Sequence, residues 1–178
     1  MPKPEQARLR FMVWSSQPLP LVHADGSHEA IFFGANDACL PGTTGQDVPL
    51  DDFKQNLRDI VRHKTVTAQK PRLIIITTPP INEYKLEEHY LAAGISDRSR
   101  TADNTKKYAD ACRDIGKELN VTVLDIWSIM MAKAGWKEGE PLVGSKHVER
   151  SKILDDLLVD GESIVQRVSY PSMLIKSV

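Results

Sequence analysis

The stretch that decides the fold is Leu73-Ile74-Ile75-Ile76-Thr77-Thr78, which lies between Pro71 and the pair Pro79-Pro80. Because proline has no backbone N–H, it cannot donate to the ladder of a central strand, so the prolines mark both ends of this strand. The continuous Leu-Ile-Ile-Ile core is typical of a parallel strand that is covered on both faces. We therefore predict a buried strand here, with the Thr77-Thr78-Pro79-Pro80 loop at its carboxyl end.

Two further strands are predicted on either side of it in the sequence. Ala30-Ile31-Phe32-Phe33-Gly34 is a short apolar run that stops at a glycine, and Val121-Thr122-Val123-Leu124-Asp125 is a similar run. Apolar residues recur at helical spacing over residues 47–64, 101–119 and 126–134, and Asn120 is placed to stop the second of these helices. Since a helix lies in each connection, the order predicts an α/β fold with a parallel sheet and helices on both of its faces.

The composition excludes several classes of protein. The 178 residues carry 23 Lys plus Arg against 24 Asp plus Glu, a net charge of −1, so there is no basic excess to bind nucleic acid. Residues 1–178 are expected to form a single domain with its own core. No apolar stretch is long enough to span a bilayer, and residues 1–6 lack a signal-peptide core, so we expect a cytoplasmic protein with no membrane span.

Neither the cysteines nor any motif indicates a metal or cofactor. Cys39 and Cys112 lie outside any CxxC or Cys/His spacing, and Cys112 falls on the apolar face of a predicted helix, where we expect it to pack. The sequence also contains no G-x-G-x-x-G and no G-x-x-x-x-G-K-[ST] phosphate-binding loop. We therefore expect no cofactor and no metal.

Several blocks of the sequence resemble one family. The segment Phe32-Phe33-Gly34-Ala35-Asn36-Asp37-Ala38 resembles the G-x-N-D block of the SGNH, or GDSL, hydrolases, and more closely the isoamyl acetate-hydrolysing esterase group. The resemblance spans about residues 30–161, and its further blocks are Leu40-Pro41-Gly42, Phe53-Lys54-Gln55-Asn56-Leu57, Thr78-Pro79-Pro80-Ile81, Asn104-Thr105-Lys106-Lys107-Tyr108-Ala109, Val123-Leu124-Asp125-Ile126-Trp127 and residues 154–161.

The resemblance implies a three-layer α/β/α, flavodoxin-like fold and a serine ester hydrolase that acts on small, short-chain esters such as acetate esters. Gly34 and Asn36 match the G-x-N-D block, which makes Asn36 the side-chain donor to the oxyanion and Gly34 a substrate-binding residue. Asp160 matches the aspartate that orients the catalytic histidine. On the tetrapeptide alone, an Asn36 that only satisfies the backbone of its own loop is the alternative. Asp37 is expected either to cap the loop or to brace Asn36 rather than to take part in the chemistry, and Asp125 is expected to bond backbone N–H groups without a catalytic role.

The chain departs from the family pattern at both ends. No Gly-Asp-Ser block occurs in the sequence, and Ser163 stands at the position of the histidine, so we expect the chain to be a catalytically incomplete hydrolase. The alternative is a non-catalytic binding or regulatory module. Residues 13–29 and 162–178 do not fit the pattern, and the hypothesis that they are translated introns in a sequence whose start is placed too late predicts irregular or loosely packed segments. In the family an upstream part supplies a strand beside residues 30–34, so the resemblance implies an unpaired apolar edge there. The sequence does not determine the oligomeric state, and a homodimer is one of the possible states.

Overall fold

A three-stranded parallel sheet forms the centre of the molecule. The computed structural model describes residues 28–68, 71–94 and 99–161. Strand β2 (Arg72–Ile76) lies between β1 (His28–Phe32) and β3 (Thr122–Leu124), and both pairings are parallel. The register places Ile75 beside Ile31 of β1 and beside Val123 of β3. The predicted α/β class and the parallel sheet are therefore confirmed.

Six helices connect and follow these strands within the described residues. The predicted helix 101–119 is confirmed almost to the residue, because the Thr101 side chain caps its first turn and Asn120 ends it with a positive φ of 53°. The helix predicted over 47–64 is found at Leu50–Val61, and a separate short helix that was not predicted begins at Lys64. The helices are α1 (Leu50–Val61), α2 (Lys64–Ala68), α3 (Glu83–Ala92), α4 (Ala102–Leu119), α5 (Ile126–Lys133) and α6 (Lys152–Leu157).

The main core lies between the sheet and helices α1 and α4. Ile75 packs there in one cluster with Phe53 and Leu57 of α1 and with Ile115 of α4. Cys112 belongs to the same cluster, so the predicted packing role is confirmed, and burial raises the pKa of its thiol to about 11. A thiol in this environment is a small apolar side chain rather than a nucleophile.

Both predicted boundaries of the first strand are wrong. The first strand was expected over residues 30–34, but β1 begins at His28 and ends at Phe32. Parallel pairing extends to the first residue of β2, so β1 includes two residues of the segment 13–29 that was expected to be irregular. The rest of that segment, residues 13–27, and the segment 162–178 lie outside the described residues.

The cover of the sheet is also less complete than the sequence predicts. In β2 only Ile75 is fully buried, and its neighbours Ile74 and Ile76 are half-buried. Strand β1 pairs with β2 alone among the described strands, as the expectation of a free edge requires. In the described part of the chain, no helix combines the length and the apolar content needed to cross a bilayer.

Candidate active site

A tight turn follows β1 at the carboxyl edge of the sheet. The Ala38 backbone N–H donates to the Gly34 carbonyl at 2.9 Å, and the Asp37 carboxylate accepts from the Gly34 N–H at 3.1 Å. Gly34 has a φ of +110°, and a Cβ there would lie only 1.9 Å from Oγ1 of Thr78. Thr78 in turn donates to the Phe33 carbonyl at 3.1 Å. The turn therefore requires glycine, and the loop after β2 fixes its position.

Asp37 caps this turn, as the sequence predicts. Burial raises the pKa of the Asp37 carboxyl above its ordinary value, although the hydrogen bonds from the backbone of Asp37 and Gly34 oppose the shift. The carboxylate is thus directed at its own loop and away from solvent.

Asn36 lies in the same turn, and its side chain is held by a buried arginine. Arg100 donates from Nη2 to Oδ1 of Asn36 at 3.0 Å and from Nε to the Ala35 carbonyl at 2.9 Å. The Asn36 side chain is exposed, and its Nδ2 donates no hydrogen bond to any described residue. The alternative in which the Asn36 side chain bonds the backbone of its own loop is not the arrangement found. Gly34 and Asn36 are therefore brought together, with one end of the amide engaged.

Arg100 itself is fixed from three directions. Besides its bonds to the turn, it donates to the Tyr90 hydroxyl of α3 and, at 3.4 Å, to the side chain of Gln46. The Ser99 carbonyl next to it accepts from the Leu40 N–H at 2.6 Å. Sequence reasoning missed Arg100, because it lies 64 residues from Asn36 and in no motif that was considered.

Asp160 lies on the loop that follows α6, at the other end of α3. The Gly161 carbonyl accepts from the Asn82 N–H at 2.8 Å, and Lys85 donates to the Leu158 carbonyl at 2.7 Å. Asp160 is half-buried. Helix α3 therefore supports both candidate positions, with the Asp160 loop at its first turn and Tyr90 near its last.

A cavity of about 180 Å³ opens between α3 and Arg100. Its volume suits a small molecule better than a long acyl chain. Its lining is mixed, with Leu86 beside the charged and polar residues Glu83, Glu87, Tyr90, Arg100, Thr101, Asp103, Lys146 and His147, and Asn36 does not line it.

Asp125, which follows β3, bonds a backbone N–H group, as expected. Asp125 caps α5 by accepting from the Ser128 N–H at 3.0 Å, and Arg113 of α4 donates to both of its carboxylate oxygens. Burial alone would raise the pKa of the Asp125 carboxyl, but the hydrogen bonds from Arg113 and Ser128 outweigh it and lower the pKa to about 2. Across residues 28–68, 71–94 and 99–161, no three His, Cys, Asp or Glu side chains converge as a metal site.

Comparison with known proteins yields a consistent set of similarities. Residues 23–144 match the model of the GDSL-like lipase/acylhydrolase family. Over 138 residues the chain is 36% identical to a GDSL esterase/lipase of Arabidopsis thaliana. This alignment covers 74% of this chain and 57% of that protein. It is 37% identical over 102 residues to the isoamyl acetate-hydrolyzing esterase 1 homolog of Mus musculus, and this alignment covers 56% of this chain and 41% of that protein.

The fold is also found in a solved structure. The crystal structure of a lipase/acylhydrolase from Enterococcus faecalis superposes with a TM-score of 0.50 at 21% identity, and the match covers 77% of this chain and 52% of that one. At this level of identity the similarity shows the fold alone. The chain spans about half the length of the curated relatives it matches.

Proposed function

The chain belongs to the GDSL-like lipase/acylhydrolase family, and we propose that it carries the oxyanion-stabilising core of a carboxylic ester hydrolase. In such a reaction a serine attacks the ester carbonyl, and negative charge develops on the former carbonyl oxygen. Hydrogen-bond donors that already point to this oxygen lower the barrier most, because they need no reorganisation when the charge appears. The core would supply such donors at the carboxyl end of β1.

One observation carries the proposal, namely the state of the Asn36 amide. Its Oδ1 is engaged by Arg100, while Nδ2 makes no hydrogen bond to a described residue and the side chain is exposed. An amide N–H donates over the whole ordinary pH range because it does not titrate. We assign Asn36 as the side-chain donor to the oxyanion on this basis.

Gly34 and Asp160 complete the assignment within this chain. Gly34 lets the backbone of the turn approach the loop that contains Thr78, and we assign it to the substrate-binding wall. Asp160 is assigned as the residue that orients the histidine base, although Ser163 stands at the histidine position of this sequence and no Gly-Asp-Ser block is present. We therefore propose that the 178 residues do not complete the acyl transfer alone.

The proposed substrates are small, short-chain esters such as acetate esters. Support comes from the relatives, since one of them is an isoamyl acetate-hydrolyzing esterase homolog. We propose no nucleic-acid partner, because the chain has no excess of positive charge.

A chimera tests whether this core supports ester hydrolysis. Residues 30–161 would replace their counterparts in the Arabidopsis thaliana GDSL esterase/lipase, which then supplies the sequence on either side. We expect the chimera to hydrolyse p-nitrophenyl acetate and to react with a fluorophosphonate probe, while the 178-residue chain alone does neither. In the chimera, Asn36→Ala should lower kcat by about 10²–10³-fold, the loss typical of one oxyanion donor.

The matched control is Gln55→Ala, which removes an exposed amide that binds Asp59 within α1 and should leave kcat unchanged. A folded chimera that neither hydrolyses ester nor reacts with the probe would contradict the proposal and favour a non-catalytic binding or regulatory module. Labelling of the 178-residue chain itself would instead reveal a serine outside the family pattern, and single Ser→Ala variants would locate it.

A further inference from the structure

We infer that Arg100 is a positioning residue that determines which end of the Asn36 amide faces the reaction site. The inference rests on the proposed function, in which Nδ2 of Asn36 is the working donor. Arg100 is only 5% exposed, and its guanidinium lies 3.0 Å from Oδ1 of Asn36. Arg100 and Asn36 form this contact in a chain that contains no Gly-Asp-Ser block.

The polarity of the contact follows from the chemistry of the two groups. A primary amide presents an acceptor at one end and two donors at the other, and the two ends are nearly equal in shape. A guanidinium has donors only and cannot accept. If the Asn36 amide were flipped, Nδ2 would face Nη2 of Arg100 and two donors would oppose each other. Arg100 therefore requires Oδ1 on its own side and leaves Nδ2 for the site.

The positive charge also strengthens the donor that it leaves free. A hydrogen bond to an ionised partner is stronger than a neutral one, and burial of Arg100 reduces the screening of its charge by solvent although Asn36 is exposed. The charge draws electron density towards Oδ1 of Asn36, which makes the N–H bonds of Nδ2 more polar. Such polarisation favours an oxygen that becomes negative, so the contribution grows as the charge of the intermediate develops.

Lysine cannot reproduce this arrangement, because the geometry of Arg100 is that of a fork. Nε reaches the Ala35 carbonyl at 2.9 Å while Nη2 reaches Asn36 and Nη1 reaches the Tyr90 hydroxyl. A lysine ammonium is a single point at the end of a flexible stem. It would keep the charge and lose the simultaneous hold on the turn and on α3.

NMR of the 15N-labelled 178-residue chain tests the inference without any enzymatic activity. The Asn36 side-chain NH2 signals are identified by their loss in Asn36→Asp, and the exposed Asn120 serves as an internal reference. We expect rotation of the Asn36 amide about its C–N bond to be slower than that of Asn120 by roughly tenfold, the factor that one charge-assisted hydrogen bond supplies.

The variants Arg100→Met and Arg100→Lys should both abolish this difference. Arg58→Met is the matched control, because Arg58 binds Glu118 on the surface and should leave the Asn36 signals unchanged. Asn36 signals that keep their shifts and their slow rotation in both Arg100 variants would overturn the inference. If those variants do not fold, the wild-type spectrum decides, since an Asn36 amide that rotates as fast as that of Asn120 overturns it too.

The outcome is separate from that of the proposed function. Slow rotation that depends on Arg100, together with an inactive chimera, would support the positioning role and refute the ester hydrolase. Where the chimera is active, Arg100→Met should lower kcat with little change in KM, because the oxyanion exists only beyond the ground state. A change in KM with kcat unaltered in Arg100→Met would contradict a role that acts through Asn36.

Discussion

The two faces of the sheet receive very different cover from the described residues. On one face, Ile31 and Ile75 are 6% and 0% exposed. On the other face the register brings Phe32, Ile76 and Leu124 side by side, yet Phe32 is 46% exposed and Leu124 is 45% exposed. Residues adjacent in sequence thus differ from fully buried to half-exposed.

The handedness of the connections explains this difference. The strands occur in the order β1-β2-β3 both in the chain and in space, so the two crossovers advance across the sheet in the same direction. Because parallel crossovers are almost always right-handed, both place their helices on one face. Helices α1 and α4 accordingly cover the Ile75 face. Cover of the Leu124 face depends on elements outside these two crossovers.

The largest expected effect is at the centre of the covered face. Ile75→Ala removes a fully buried side chain from the cluster with α1 and α4, and should lower the free energy of unfolding by about 2–5 kcal/mol. Urea titration monitored by circular dichroism measures the change. Ile76→Ala, one residue along the same strand, is the control and should cost less than half as much. Equal losses would show that the two faces are covered alike.

A buried glycine tests how closely the covered face is packed. Gly116 lies in α4, and a Cβ there would approach Cγ2 of Val123 in β3 to 2.2 Å. Gly116→Ala should therefore destabilise by about 1–3 kcal/mol, despite the better helix propensity of alanine.

A double-mutant cycle supplies the control for this prediction. Val123→Ala removes the methyl group that the new Cβ would meet, so Gly116→Ala should cost much less in the Val123→Ala background. Additive losses would contradict a direct contact between the helix and the sheet at this point. The unfolding midpoints of the four proteins in urea decide between the two results.

Much of this fold could be predicted from local signals. The prolines around β2 gave its position, and the helical spacing that ends at Asn120 gave α4, because both signals act over a few neighbouring residues. Helix α3 was missed, since Leu86 is its only fully buried residue and an apolar stripe hardly exists. The start of β1 was wrong because pairing with Arg72, far along the chain, determines it.

The candidate site divides in the same way. Gly34, Asn36 and Asp37 form one turn within four residues, and they were found because this segment and the blocks around it together resemble one family. The role of Arg100 depends on contacts with residues 35 and 36 and with Tyr90, which only the folded chain brings together. No spacing rule in the sequence connects positions that far apart.

The ion pair between Arg113 and Asp125 also stabilises the covered face, and its contribution to the free energy of unfolding depends on pH. Hydrogen bonds from Arg113 lower the pKa of Asp125 to about 2, below its ordinary 3.8, so the stabilisation is present above about pH 5 and is lost as the pH falls towards 2. Because about a third of the carboxylate is exposed, we expect about 1 kcal/mol after screening.

Asp125→Asn keeps an N-cap side chain for α5 and removes the charge. Between pH 6 and pH 2.5, its free energy of unfolding should therefore fall by about 1 kcal/mol less than that of the wild type, as measured by urea titration at each pH. Asp114→Asn is the control, because Asp114 is exposed and pairs with Lys54 only at 3.5 Å. An equal pH dependence in wild type and Asp125→Asn would refute the contribution of this ion pair.

The smallest effect on stability is expected on the less covered face. Leu124→Thr keeps a strand-forming residue at a position that is 45% exposed, so the free energy of unfolding should change by less than about 1 kcal/mol. Self-association should decrease, because an exposed apolar row is a contact surface, and sedimentation velocity measures it. Ile31→Thr on the covered face is the matched control and should cost several times more. A loss of stability for Leu124→Thr as large as that of Ile31→Thr would mean that Leu124 is buried in solution, either by other parts of this chain or by a second copy. If the loss depends on protein concentration, the second copy is responsible.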